Sequence, residues 1–100
     1  MWRLLLRSQS RTDLGHIWDY SAEQWGRARA DDYAGRLVAK MNDLRLTGPG
    51  ASRCDPIYPG LRRAKAGSHL IYFLLAEDGI DVVRILHERL DVSAHFDSDD

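Results

Sequence analysis

Four side chains in the second half of the chain, Arg62, Arg63, His69 and Arg84, are of types that can handle a phosphate. Guanidinium groups can stabilise the charge that develops on a phosphorane, and an imidazole can move a proton near neutral pH. Cleavage of a phosphodiester needs both kinds of group within hydrogen-bond reach of one phosphate, and only these four are plausible members of such a site. Each also has a plainer role. Arg62 and Arg63 lie in the short run Leu61 to Lys65, where charges usually face solvent or pair with nearby carboxylates. His69 is expected opposite Glu88, as a cross-strand hydrogen-bonding pair. Arg84, set among Val82, Val83, Ile85 and Leu86, needs a partner there, either an internal carboxylate or a side chain of another protein. The histidines at 16, 69, 87 and 95 show no metal-ligand spacing, and Cys54 is the only cysteine. Neither a metal site nor a cofactor is indicated, and the lone thiol fits a reducing compartment.

The elements that must position these groups fall on either side of Gly48-Pro49-Gly50. Trp2, Leu4 and Leu6 alternate as a strand. Ser10-Arg11-Thr12-Asp13 resembles a capping box, which starts a helix near residue 11, and Gly26 sits where a left-handed cap would end it. Leu14, Ile17, Trp18 and Trp25 share one face of that helix. Ala30, Tyr33, Ala34, Leu37, Met41 and Leu44 mark a second, which Gly48-Pro49 stops, so the two form a hairpin whose core includes Trp25 and Tyr33.

Beyond the break the period becomes two. Tyr58-Pro59-Gly60 reads as a turn into a strand over Leu61–Lys65, followed by runs His69 to Leu75 and Ile80 to His87 around Asp78-Gly79, a strong hairpin signal. With Asp78-Gly79 as a two-residue loop, Phe73 faces Arg84, Ile71 faces Leu86 and His69 faces Glu88. The fold class is α+β: a helical hairpin on a small, mainly antiparallel sheet, in the order β-α-α-β-β-β. Two helices cover one side of a sheet, yet this hairpin is apolar on both. A partner protein is therefore expected over the Phe73, Arg84, Leu86 face or the helical hairpin; the alternative is that an N-terminal strand or the tail folds over the second face.

The chain has 100 residues, 44% hydrophobic and 29% charged, which suits one domain, taken as 1–96 with a frayed acidic end at 97–100. With 14 Lys and Arg against 15 Asp and Glu, the net charge of −1 disfavours a general nucleic-acid coat or an anionic-membrane binder. The last ten residues hold four Asp and no Lys or Arg, so the body is mildly basic. The opening apolar run is too short to span a bilayer, and a cytoplasmic location is expected.

The order Trp25-Gly26, Ala30, Tyr33, Pro59-Gly60-Leu61-Arg62-Arg63, Gly67-Ser68-His69-Leu70-Ile71-Tyr72 and Arg84-Ile85-Leu86-His87-Glu88-Arg89-Leu90-Asp91 resembles the ParE branch of the RelE/ParE toxin superfamily. The resemblance covers nearly the whole chain. It implies the toxin of a bacterial toxin-antitoxin module, one that inhibits DNA gyrase, carries no catalytic residue, and is neutralised by a ParD-like antitoxin through which alone it meets DNA. The RelE branch shares the fold but cuts mRNA on the ribosome. Where that branch tends to carry Arg on the strand this chain has His69, and where it places His or Tyr at the end of the last strand this chain has Leu86 and His87. A ribosome-dependent endonuclease, or an inactive toxin fold kept as a binding module, is the alternative. The antitoxin is expected at Phe73, Arg84, Leu86, Arg62, Arg63 and His69. Gyrase is expected at Arg84, His87, Arg89, Asp91, Val92 and Phe96, because Val92 and Phe96 are apolar residues beside charges that no periodic element claims; the alternative is that these two tuck back against the helices.

Overall fold

The computed structural model describes residues 3–47, 52–53 and 59–90. Its elements are β1 (Arg3–Leu6), α1 (Ser8–Trp25), α2 (Arg27–Thr47), β2 (Ser52–Arg53), β3 (Arg62–Ala66), β4 (His69–Ala76) and β5 (Gly79–His87). This is the α+β order read from the sequence, with a two-residue β2 that the periodicity did not show. The five strands form one mixed sheet, β1-β5-β4-β3-β2, in which only β1 runs parallel to its neighbour, β5. The chain can make that parallel pairing because the whole helical hairpin intervenes, giving the long crossover a parallel pair needs. Trp2, Tyr58, Gly48-Pro49 and the acidic end lie outside the described residues.

Helix α1 starts at Ser8, earlier than the capping box suggests. The Ser10 hydroxyl donates to the Arg7 carbonyl at 2.7 Å, and Asp13 points away from the helix start to meet β5. Gly26 does end the helix: at φ +92° it donates its N–H to the Ala22 carbonyl, and α2 begins at the next residue. A side chain bearing Cβ would resist that left-handed φ, which is why a glycine permits so abrupt a link.

The hairpin lies on one face of the sheet. Leu37, Met41 and Leu44 of α2 form the main core with Ile71, Phe73, Ile80, Val82 and Ile85, and Leu14 and Ile17 of α1 pack against it. A second cluster of Leu61, Tyr72 and Leu86 is flanked by Leu70 and Leu74. The expected pairing across β4 and β5 is therefore corrected. Ala76 pairs with Gly79, so the loop is Glu77-Asp78, and Phe73 faces Val82. A β-bulge between Tyr72 and Phe73 leaves Val83 as an extra residue, after which Tyr72 faces Arg84, Ile71 faces Ile85 and His69 faces His87. A one-residue slip sends a side chain to the other face of a sheet, so Leu86 leaves the side of Phe73 and Ile85 takes its place. The single surface of Phe73, Arg84 and Leu86 does not form. Phe73 is fully buried beneath the helices, and Leu86 is buried in the second cluster. Leu75 on β4 stays 42% exposed, and Leu70 and Leu74 are only partly buried.

Two glycines hold close approaches. A Cβ on Gly79 would overlap the Arg3 backbone of β1. Gly67, at φ +59° in the turn before β4, would meet the Tyr33 ring at 2.6 Å. This second contact brings α2 down onto the β3–β4 turn and starts the assembly of the site.

Candidate functional site

Between the helical hairpin and the far ends of β4 and β5 lies an open groove of about 980 Å³. Its apolar wall comes from Ile17, Tyr20 and Trp25 of α1 and from Leu90 beyond β5. Tyr20 and Trp25 are more than half exposed, at 58% and 57%, and meet edge to face with ring centres 6.1 Å apart. Sequence reasoning placed Trp25 in the core of the hairpin. The structure turns it outward instead, against Tyr20 at the edge of the groove. Trp18 is also turned from the core, its indole N–H donating to Asp31 of α2 at 2.8 Å.

The floor of the groove is polar. Arg84 donates through Nε and Nη2 to the two carboxylate oxygens of Asp13 at 2.8 and 2.9 Å, and the Ile85 N–H donates to the same carboxylate at 2.9 Å. Both partners are largely buried, with side-chain exposures of 17% and 10%. The guanidinium is held charged, its pKa raised first by the hydrogen bond to Asp13. Of the two partners open to Arg84, the internal carboxylate is the one realised. Asp13 is a site residue that sequence reasoning missed, because its position in a capping pattern offered a sufficient local explanation.

Beside the ion pair, Tyr33 joins α2 to β4. The Ser68 N–H donates to the Tyr33 hydroxyl at 3.0 Å, and that hydroxyl is 2.6 Å from His69 Nδ1. His69 lies across the sheet from His87, ring centres 5.3 Å apart and nearly perpendicular, and not from Glu88 as expected. Glu88 instead takes an ion pair with Lys65 at 2.9 Å. Burial pushes the His69 pKa down, and the neighbouring His87 lowers it further against the pull of Glu88 and Asp13. Because the folded state holds this imidazole neutral, the unfolded chain binds more protons in the window between the lowered value and the usual one. Stability should therefore fall as pH drops through that window. His69→Gln is expected to flatten this dependence in pH-resolved thermal melts, and an unchanged slope would count against it.

The groove thus gathers His69, Arg84, Leu86 and His87 from the candidates. It does not gather Phe73, Arg62 or Arg63, which do not line it. Arg89 is exposed just after β5 and donates its N–H to His87 Nδ1 at 3.2 Å. Asp91, Val92 and Phe96 lie outside the described residues. No described helix is long and apolar enough to cross a membrane.

Comparison with known proteins agrees with this architecture. Residues 4–92 match the family described as ParE toxin of type II toxin-antitoxin system, parDE. Toxin ParE1 of Mycobacterium tuberculosis (strain ATCC 25618 / H37Rv) is 39% identical over 96 residues, covering 94% of this chain and 97% of that protein. Toxin ParE1 of Caulobacter vibrioides is 32% identical over 92 residues, covering 91% and 94%. A solved chain from the chromosomal ParDE system of P. aeruginosa superposes with a TM-score of 0.76 at 22% identity, covering 87% of this chain and 96% of that one, which is a likeness of fold. By its sequence match along almost its whole length and by its fold, the chain belongs to the ParE toxin family of type II toxin-antitoxin systems.

Proposed function

We propose that this toxin acts in the cytoplasm by inhibiting DNA gyrase and is neutralised when a ParD-like antitoxin lays a segment into the groove between the helical hairpin and the sheet. The observation that carries the antitoxin site is the exposed Tyr20–Trp25 pair beside a concave surface of about 980 Å³. Exposed aromatic anchors at the edge of a groove are what an amphipathic helix or extended segment engages, with its apolar side chains on Ile17 and Leu90. Membership of the ParE family supports gyrase as the target.

The gathered polar groups do not favour an endonuclease. Arg84 has its Nε–Nη2 edge on Asp13, and His69 Nδ1 is occupied by Tyr33. A phosphate clamped by that edge would have to displace a largely buried ion pair. The test is a supercoiling assay with purified toxin, with and without antitoxin, beside a ribosome-programmed mRNA cleavage assay. Inhibition relieved by antitoxin, with no cleavage, is expected. Cleavage abolished by His69→Ala would overturn the reading.

The gyrase contact is assigned to the C-terminal part, Arg84 to about Phe96. Arg84 is committed internally and His87 is half-buried in the groove, which leaves Arg89 and the residues after Leu90 to supply the surface. Truncation after Leu90 is expected to raise the concentration needed for half-inhibition by about tenfold, the loss typical of one docking anchor. Antitoxin binding and melting temperature should largely survive. Full inhibition by a folded truncated chain would remove the docking role.

A further inference from the structure

The inner end of the groove carries two hydrogen-bond donors with no partner among the described residues. The Arg89 N–H donates to His87 Nδ1, so that nitrogen presents a lone pair and the neutral ring carries its proton on Nε2. At His69 the Tyr33 hydroxyl already accepts the Ser68 N–H, and giving its own proton to Nδ1 satisfies both atoms, which again leaves the ring proton on Nε2. Neither Nε2 has a hydrogen-bond partner among the described residues, and both rings line the groove. The rings stand 5.3 Å apart at 79°, close enough for two donors to converge on one acceptor group.

The charges around them select the acceptor. Within the groove Arg84 is matched by Asp13 and Arg36 by Asp32, the latter at 3.2 Å. Subtracting those pairs leaves Arg29 and the protonatable His16, His69 and His87 without an opposing carboxylate in the lining. Outside it, Glu88 is engaged by Lys65. The remaining character is electropositive, which favours an anion.

We propose that the His69–His87 pair is a carboxylate subsite, receiving one Asp or Glu side chain of the antitoxin segment through the two Nε2–H groups. This rests on the antitoxin occupying the groove, and it adds the chemistry that sets register: the aromatic pair at the outer end anchors an apolar residue, and the imidazole pair at the inner end fixes an acidic one. Tyr33 and the Arg89 backbone are positioning groups, since they hold each ring in the donating tautomer.

A carboxylate on Nε2 favours protonated His69, opposing the burial and His87 terms that keep the free ring neutral. The other titratable and charged groups facing the ring are Asp13 and His16 from α1, Tyr33 from α2, and Arg84, His87 and Glu88 from β5 and the turn after it. Asp13 and Glu88 are already engaged by cations in the free chain. Antitoxin binding should therefore take up protons and tighten as pH falls from about 8 to about 6.

The experiment is calorimetric titration of the full-length toxin with its full-length antitoxin, in two buffers of different ionisation heat, for wild type, His69→Gln and His87→Gln. Expected are net proton uptake by wild type, about tenfold weaker binding by each variant, and loss of uptake in His69→Gln. The His87→Gln arm guards against a folding defect in His69→Gln, because the one side-chain hydrogen bond His87 makes among the described residues is with the Arg89 N–H. Binding that is tight, proton-neutral and insensitive to both variants overturns the subsite and leaves the antitoxin reading intact. Weakening without proton uptake also overturns it, as does uptake unaffected by the variants. Failure of wild-type toxin to bind antitoxin overturns both readings.

Discussion

Asp13→Ala should cost about 3 kcal/mol of folding stability, the largest effect expected of any polar substitution in this chain. The carboxylate accepts three hydrogen bonds, two from Arg84 and one from the Ile85 N–H, and all three donors are at the largely buried junction of α1 and β5. Removing it strands a guanidinium and a backbone N–H, and each pays its desolvation without compensation. Arg84→Met removes the charge that Asp13 serves, yet leaves the carboxylate its Ile85 N–H, and should cost less. In a double-mutant cycle on chemical denaturation, Asp13→Ala and Arg84→Met together should be milder than the sum of the two by at least about 1 kcal/mol. Additive losses would show that the two side chains do not depend on each other. The pair also has a positional consequence: it holds α1 against β5 at the floor of the groove, so Asp13→Ala should weaken antitoxin binding in proportion to the loosening of α1.

The second large effect is on binding. Replacing Tyr20 and Trp25 together by Ala is expected to weaken the antitoxin complex by about 100-fold while the melting temperature of the free toxin stays within about 2 °C of wild type. The separation of the two readouts follows from exposure. Both rings are more than half open to solvent and touch each other, while the main core is built from other residues, so folding gains little from them. A partner that covers both rings gains the burial that folding left unused. Surface plasmon resonance on immobilised antitoxin gives the affinity and a thermal melt gives the stability. Wild-type affinity in the double variant would place the antitoxin elsewhere on the molecule.

Much of the architecture was legible in the one-dimensional pattern. The 3.6-residue spacing of Leu37, Met41 and Leu44, and the two-residue spacing through β4 and β5, reflect which side chains must leave water. That requirement acts on every fold the chain can adopt, so it is written locally. Gly26 as a helix stop and the hairpin at Glu77-Asp78-Gly79 are local for the same reason: a positive φ or a tight reversal limits the residue at that position alone. The need of Arg84 for a partner was legible too, because a charge amid aliphatic neighbours cannot be left bare.

What the sequence could not express were the quantities that depend on where two distant segments meet. The bulge at Val83 is one extra residue in β5, invisible to periodicity, yet it exchanges Ile85 and Leu86 between the faces and sets His87 opposite His69. Asp13 is 71 residues from Arg84, and Tyr33 is 36 from His69. Their pairing depends on the angle at which the hairpin crosses the sheet, which the close approach at Gly67 helps to fix. Trp25 shares a helical face with Leu14 and Ile17, yet it stays 57% exposed, because burial depends on what packs over that end of α1. Local sequence determined which residues form helix, strand and core; the tertiary structure decided which of them share a groove, because a shared groove is a relation between elements whose relative placement no local spacing encodes.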